Sequence, residues 1–168
     1  MSESAPLLDR EGIEEAFRRL GDRLAKRGVV ADIYVFGGAA MALAYDSRRA
    51  TRDVDALFKP HGIVLEEAQA VAAELGLPTW WLNEQASSYV APGGDPSASR
   101  VFDYPGLRVF AASPEHLLAM KALAARPRDA QDIKQLVDAE SAHSSRRPRA
   151  GTGSLPGGGA AGPPQAPA

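Results

Sequence analysis

The 168-residue sequence predicts an α/β (α+β) domain in which a small mixed β-sheet is flanked by helices. Apolar residues recur at three- and four-residue spacing in several segments, which is typical of amphipathic helices. The segment Ala31 to Phe36 is rich in β-branched and aromatic residues, which is typical of a strand. Tyr104-Pro105-Gly106-Leu107 has Pro and Gly at the central positions of a type II turn and predicts a β-hairpin. Helices and strands that alternate in this way favour a sheet with helices packed on it.

The predicted elements follow the order α-β-α-β-α-β-β-α-α. The first helix is expected between an N-cap at Asp9 and a C-terminal glycine at Gly28. Residues 78–83 are expected to form an aromatic connection or a short helical turn. Ser113, Pro114 and Glu115 are typical of a helix start, as N-cap, first-turn proline and first-turn acid. The remaining predicted ranges are strand 31–36, helix 39–45, strand 52–58, helix 63–75, strands 100–104 and 107–111, and a last helix over 128–139.

The composition is that of a globular protein, with 45% apolar and 24% charged residues. A net charge of −2 indicates no global attraction to nucleic acid or to an anionic membrane. The chain has no cysteine, which excludes disulfides and thiolate zinc sites. No apolar run approaches the roughly 20 residues of a membrane helix. The first residues lack the basic and apolar regions of a secretory signal, so a cytoplasmic location is expected.

The domain organisation predicted from composition is one folded domain over residues 1–141 and a disordered tail over residues 142–168. The tail is rich in Pro, Gly, Ala and Arg, and Leu155 is its only large apolar residue. Such a segment buries too little apolar surface to offset its ordering entropy. Arg146, Arg147 and Arg149 are interpreted as solvated charges, with a weak tether for RNA as the alternative.

Two features of the folded domain predict phosphate and metal chemistry. Asp53 and Asp55 are two apart in a predicted strand, so their side chains share one face. Such a pair of like charges suits Mg²⁺, which is usually held by one or two carboxylates together with substrate phosphates. Gly37-Gly38 lies between a strand and a helix, where backbone N–H groups free of a Cβ approach an anion closely. Together the two features predict a nucleotide site.

These residues resemble the first motif of the polymerase-β-like nucleotidyltransferases: a Gly-Gly or Gly-Ser turn, a short helix, then Asp-x-Asp. The segment from Ser113 to Lys121 resembles the lysine-bearing helix of the AbiEii-type minimal nucleotidyltransferases. The segment from Arg126 to Ile133 resembles the Arg-x-x-Asp-x-x-Asp sequence that follows that lysine. The likeness extends over about residues 31–137 and implies a polymerase-β-like nucleotidyltransferase fold.

The resemblance implies that an NMP is transferred from an NTP to a hydroxyl of RNA (such as tRNA) or of a protein. Asp53 and Asp55 would be catalytic and would hold Mg²⁺, while Gly37 and Gly38 would hold the β- and γ-phosphates. A third carboxylate that activates the hydroxyl is expected on a neighbouring strand. The resemblance also implies a toxin–antitoxin pair, with an antitoxin protein as partner. The other residues given a site role are a third catalytic carboxylate, Asp103, and the nucleotide-contacting Arg52, Lys121, Asp129 and Asp132.

Several of these residues have a structural alternative. Arg52 either contacts a substrate phosphate or balances charge at the other face of the sheet. Lys121 either contacts the nucleotide or extends to water from an apolar helix. Arg48 and Arg49 are interpreted as solvated loop charges. One of Trp80 and Trp81 is expected in the core and the other half exposed, with base stacking as the alternative role.

Two other functions remain open at the level of sequence. The first is a catalytically inactive module that binds a nucleotide or a partner on the same fold. The second is an interaction protein in which the Asp-x-Asp pattern is accidental. Label transfer from an NTP separates the enzyme from the first alternative, and metal titration separates it from the second.

Overall fold

The structure is a computed structural model and describes residues 5–46, 48–87, 94–124 and 130–146. Five helices and five strands are formed within these ranges. The elements are α1 Arg10–Lys26, β1 Ala31–Phe36, α2 Gly37–Ala40 with a π-helical continuation Met41–Tyr45, β2 Val54–Lys59, α3 His61–Leu75, β3 Leu82–Asn83, β4 Ser99–Tyr104, β5 Leu107–Ala111, α4 Pro114–Ala124 and α5 Ala130–Arg146. In the described part of the chain, no helix is both long and apolar enough to cross a bilayer.

The five strands form one mixed sheet in the order β3-β2-β1-β5-β4. β1 runs antiparallel to β2 and parallel to β5, β2 is parallel to β3, and β4 and β5 form the antiparallel hairpin. The predicted class, a small mixed sheet flanked by helices, is therefore confirmed. The parallel pairs need long connections, which α3 and the segment from α2 to β4 provide.

One face of the sheet forms the main core. Ile33 and Val35 of β1 and Val54 and Ala56 of β2 alternate with half-exposed residues and are fully buried. α1 contacts α3 and β5, and α3 contacts β2, so these two helices cover that face. The opposite face carries Tyr34 and Asp55. Because side chains alternate along a strand, the buried Val54 turns Asp55 away from the core.

α1 forms as its sequence predicts. The side chain of Asp9 accepts a hydrogen bond from the N–H of Gly12 at 2.8 Å and so caps the helix. The buried side chains recur at helical spacing and include those of Ile13, Phe17, Leu20 and Leu24. Gly28 adopts φ 70° immediately after the C-cap, as a left-handed helix terminator does.

Several element boundaries differ from the predictions. The predicted connection over 78–83 contains β3, whose two residues pair with β2 in parallel. β2 begins at Val54 rather than at residue 52, because Arg52 and Asp53 form a bend. α3 begins at His61, two residues early. α5 continues to Arg146, so residues 142–146 of the predicted tail are helical, and residues 147–168 lie outside the described part.

The hairpin turn approaches α1 very closely. Gly106 adopts φ 86°, as the type II turn requires. A Cβ on Gly106 would lie 2.3 Å from the carbonyl oxygen of Gly21 and 2.8 Å from the backbone nitrogen of Ala25. Two backbones therefore meet without side chains between them, and this contact seats α1 against the end of the hairpin.

Candidate nucleotide and metal site

The glycine turn and the aspartate pair meet at one end of the sheet. β1 ends at Phe36, which lies opposite Asp55 at the start of the antiparallel β2. Gly37 follows directly with φ 63°, a left-handed conformation that only glycine adopts without strain. This conformation turns the chain from the strand into α2. The N-cap position is Phe36, whose side chain makes no capping hydrogen bond.

The two features predicted to bind phosphate and metal lie close together. A Cβ on Gly37 would lie 3.3 Å from Oδ2 of Asp55. A Cβ on Gly38 would lie 3.1 Å from Oγ1 of Thr51. Thr51 is itself fixed, because its hydroxyl donates to the carbonyl oxygen of Asp53 at 3.0 Å. A side chain at either glycine would therefore fill the space between the turn and the strand that carries the carboxylates.

Asn83 at the end of β3 positions the carboxylate of Asp53. Its Nδ2 donates to Oδ2 of Asp53 at 2.8 Å and to the carbonyl oxygen of Trp80 at 3.0 Å. Its Oδ1 accepts from the N–H of Gln85 at 3.1 Å. Asn83 was not predicted as a site residue from the sequence. It lies in a strand of two residues, and only the pairing of that strand with β2 brings it to Asp53.

The donor set at this end of the sheet suits a hard divalent cation. Asp53 and Asp55 supply carboxylate oxygens, which are ligands that Mg²⁺ prefers. In the described residues, no group of three or more acidic, histidine or cysteine side chains is arranged to hold a metal. In a Mg²⁺–nucleotide site the protein usually supplies one or two carboxylates. Water and phosphate oxygens occupy the other coordination positions.

Asp103, predicted as the third carboxylate, does not lie at this end of the sheet. It belongs to β4, the edge strand, which is separated from β2 by β1 and β5. It pairs in register with Arg108, and Arg108 pairs with Asp32 at the far end of β1 from Phe36. Its side chain is 58% exposed and accepts a hydrogen bond from Arg100 at 2.9 Å. We therefore leave Asp103 out of the candidate site.

Lys121 and Asp132 contact each other. Nζ of Lys121 donates to Oδ2 of Asp132 at 2.8 Å, and a guanidinium nitrogen of Arg49 donates to Oδ1 of the same carboxylate. Asp132 is only 1% exposed. Arg49, which was interpreted as a solvated loop charge, is therefore half-buried and pairs with a buried carboxylate. We call these three residues the Asp132 cluster.

The Asp132 cluster attaches α4 and α5 to the loop that leads into the site. Nε2 of Gln135, also on α5, donates to Oδ2 of Asp46 at 3.2 Å. Asp46 and Arg49 thus fix both ends of the short connection that precedes Thr51. Of the remaining predicted residues, Arg52 is exposed beside Asp53, and Asp129 lies outside the described residues.

Most of the chain is similar to a known protein family. Residues 13–140 match the family described as "Nucleotidyltransferase of unknown function (DUF6036)". The chain belongs to this family. The match begins within α1, ends within α5 and includes every residue of the site described above. No curated protein and no solved structure matches the chain. The predicted nucleotidyltransferase family is therefore confirmed, whereas AbiEii-type specificity stays a prediction.

A second polar cluster holds the nucleotidyltransferase fold together near the same end of β1. Oδ2 of Asp95 accepts hydrogen bonds from the hydroxyl of Tyr34 at 2.8 Å and from the backbone N–H of Ser113 at 2.7 Å. Burial alone would raise the pKa of Asp95, but these two hydrogen bonds outweigh it and hold the pKa below its ordinary value of 3.8. Burial also raises the pKa of Tyr34, so its hydroxyl remains a donor.

This cluster predicts a pH-dependent stability effect. Because the folded-state pKa of Asp95 is lowered, its contribution is present above pH 3.8 and is lost as the pH falls through the folded-state pKa. Tyr34→Phe should therefore lower the free energy of unfolding by about 1 kcal/mol at pH 7. The same substitution should cost less and less as the pH falls through the folded-state pKa and the carboxyl of Asp95 becomes protonated. Urea titrations of both proteins across a series of pH values from 7 downward measure this; a cost that does not change with pH would contradict the assigned hydrogen bond.

We expect Gly37→Ala to weaken nucleotide binding selectively. The left-handed backbone should cost about 1–2 kcal/mol of stability, and the new Cβ must displace the carboxylate of Asp55. The matched control is Gly76→Ala, where φ is 66° and nothing lies within 4 Å of the Cβ position. Both variants should lose similar stability in thermal denaturation. Only Gly37→Ala should weaken NTP binding, and equal binding by both variants would contradict the role of the turn.

Proposed function

We propose that this protein is a Mg²⁺-dependent nucleotidyltransferase that moves an NMP from an NTP to a hydroxyl of an RNA or protein acceptor. The observation that carries the proposal is the closeness of the glycine turn to Asp55, since a Cβ on Gly37 would lie 3.3 Å from Oδ2 of Asp55. A turn suited to phosphate and a carboxylate suited to Mg²⁺ are thereby adjacent. Membership of a nucleotidyltransferase family supports the reaction class.

The residues at this end of the sheet have distinct proposed roles. Asp53 and Asp55 would hold Mg²⁺, which when bound neutralises negative charge on the phosphates. Asn83 keeps the carboxylate of Asp53 in one orientation through its 2.8 Å hydrogen bond. The backbone N–H groups at Gly37 and Gly38 bind the β- and γ-phosphates, because no Cβ keeps an anion away from them.

The proposed reaction is an in-line displacement at the α-phosphorus. The acceptor hydroxyl oxygen forms a bond to that phosphorus, and the bond from the phosphorus to the α–β bridging oxygen breaks. Pyrophosphate leaves with the electron pair, and the hydroxyl proton passes to solvent. The contribution of the chain is to position the reactants and to stabilise charge on the departing pyrophosphate.

The Asp132 cluster would act at a distance from the reacting atoms. Since Lys121 and Asp132 bind each other, we assign them to positioning the loop that carries Thr51 and Asp53. Asp129 keeps its predicted role as a nucleotide contact.

One observation favours a second function, that of an inactive nucleotide-binding or partner-binding module. In the part of the chain that the structure describes, the aspartate pair lacks a third acidic side chain in a metal-binding arrangement. A domain with two carboxylates and a phosphate-binding turn would bind a Mg²⁺–NTP without an internal base for the acceptor hydroxyl. Both functions include binding of a Mg²⁺–NTP, but only the enzyme transfers the NMP to an acceptor.

The transfer experiment separates these functions. Purified protein with Mg²⁺ and each α-³²P-labelled NTP is incubated with total RNA and with protein extract, and label in each fraction is measured. Transfer should occur with wild type and disappear with Asp53→Asn plus Asp55→Asn. Asp138→Asn, an exposed aspartate of α5, is the matched control and should retain transfer. Binding of NTP without any transfer would favour the inactive module.

A toxin role in a toxin–antitoxin pair extends the proposal and rests on the AbiEii-like resemblance of the sequence. In this role the protein acts in the cytoplasm and an antitoxin protein restrains it. Inducible expression in a bacterial host should arrest growth with wild type and not with the double aspartate variant. Unimpaired growth with well-expressed wild type would count against the toxin role and leave the transferase proposal standing.

A further inference from the structure

Trp80 and Arg52 lie in the two chain segments that lead into β3 and β2 at one edge of the site. Trp80 precedes Trp81, whose carbonyl oxygen accepts from the N–H of Val54 at 2.5 Å, and Arg52 lies two residues before Val54. Both residues thus precede the start of the paired strands β2 and β3. Trp80 is also tied to the aspartate pair, because its carbonyl oxygen and the carboxylate of Asp53 share Nδ2 of Asn83.

The two adjacent tryptophans have opposite environments. Trp81 is fully buried, and its Nε1 donates to the carbonyl oxygen of Ala68 at 2.8 Å. Trp80 is 45% exposed. Arg52 is exposed as well. Within the described residues, neither the indole of Trp80 nor the guanidinium of Arg52 has a hydrogen bond, ion pair or ring contact. An aromatic face and a cation therefore remain available next to the carboxylates.

The position of this surface in the sheet indicates which reactant it meets. The glycine turn follows β1, on one side of β2, whereas Trp80 precedes β3, on the other side. If the β- and γ-phosphates lie at the glycine turn, pyrophosphate departs toward β1. In an in-line displacement the attacking oxygen comes from the opposite side. That side is the β3 edge, where Trp80 and Arg52 lie.

We propose that Trp80 and Arg52 form an acceptor platform that binds the end of a single-stranded RNA. The indole stacks on a base, and the guanidinium pairs with a backbone phosphate of the same strand. A single RNA strand offers both partners, a base for the indole and a phosphate for the guanidinium. This inference rests on the proposed function, since it takes the glycine turn as the leaving-group side.

Binding of two probes tests the platform. One probe is a fluorescein-labelled 12-nucleotide oligoadenylate with a free 3′-hydroxyl, measured by anisotropy with Mg²⁺; the other is each unlabelled NTP, measured by calorimetry. Trp80→Ala should weaken RNA binding about 5- to 100-fold, the loss of one stacked base, and leave NTP binding unchanged. Trp80→Phe should restore most RNA affinity. Arg52→Gln should weaken RNA binding and reduce its salt slope by about 1.

Controls separate the platform from general surface effects. Val30→Ala removes an exposed apolar side chain at the opposite end of β1, and Arg100→Gln removes an exposed arginine from the far edge strand. Both should bind RNA like wild type. The emission of the buried Trp81 reports whether Trp80→Ala is folded.

Each remaining outcome overturns the platform. NTP affinity that falls with Trp80→Ala while RNA affinity holds would assign the surface to the base of the NTP. Wild type that binds NTP and transfers label to protein, without binding RNA, would overturn the platform and leave the proposed function intact. Wild type that binds neither NTP nor RNA would overturn both.

Discussion

Gly106→Ala should lower the free energy of unfolding by about 4 kcal/mol, because severe overpacking and backbone strain are among the few mechanisms that cause losses of this size. The new Cβ would lie 2.3 Å from a backbone oxygen and 2.8 Å from a backbone nitrogen of α1. Neither atom is the end of a flexible side chain, so the helix and the hairpin must separate. The left-handed φ of 86° adds its own cost.

Gly28→Ala is the matched control for this prediction. Its φ is 70°, and nothing lies within 4 Å of the Cβ position. Its free energy of unfolding should fall by only about 1–2 kcal/mol, the cost of placing Ala in a left-handed backbone conformation. Urea unfolding followed by tryptophan emission, to which the buried Trp81 contributes, measures both variants. Equal losses would show that α1 moves freely relative to the hairpin, contrary to the contact described here.

Asp132→Ala should be the second strongly destabilising change, with a loss of about 3 kcal/mol, the lower end expected when a buried ion pair loses one partner. The substitution leaves Lys121, whose side chain is only 12% exposed, without its carboxylate partner on α5. Arg49 is more exposed and can reach water, which limits the loss. The connection before Thr51 also loses one of its two attachments to α5.

Asp138→Ala is the control for the Asp132 cluster, since Asp138 is an exposed aspartate of the same helix. It should change stability by less than about 0.5 kcal/mol. Chemical denaturation compares the two variants, and NTP binding is measured on whichever protein remains folded. A loss below 1 kcal/mol for Asp132→Ala would contradict the assignment of this cluster as a buried structural ion network.

The sequence was sufficient to predict those features that depend on interactions between residues close together in the chain. Asp9, Gly28 and the Pro105-Gly106 turn act on their nearest neighbours in the chain, and the structure confirms each of them. Gly37 and Asp55 were also predictable as site residues, because a glycine turn after one strand and a carboxylate in the next are readable from spacing. Their closeness follows from one antiparallel pairing, of β1 with β2.

The features that sequence reasoning missed depend on distant parts of the chain. Asn83 reaches Asp53 only because a two-residue strand pairs with β2. Arg49 and Asp132 are 83 residues apart, and no local pattern relates them. Asp103 was correctly assigned to a strand, yet its distance from the site follows from the position of β4 at the edge of the sheet. Strand order is set by packing over the whole domain, which spacing does not encode.

The most direct test of the central claim is Mg²⁺-dependent NTP binding at the aspartate pair, measured by calorimetry with each of the four NTPs. Wild type should bind in Mg²⁺. Asp55→Asn should weaken binding about tenfold or more, the loss of one charge-assisted contact. Asp103→Asn, at the other end of the sheet, should bind like wild type. Unchanged binding by Asp55→Asn and Asp53→Asn in Mg²⁺ would contradict the claim that these carboxylates and the glycine turn form the nucleotide site.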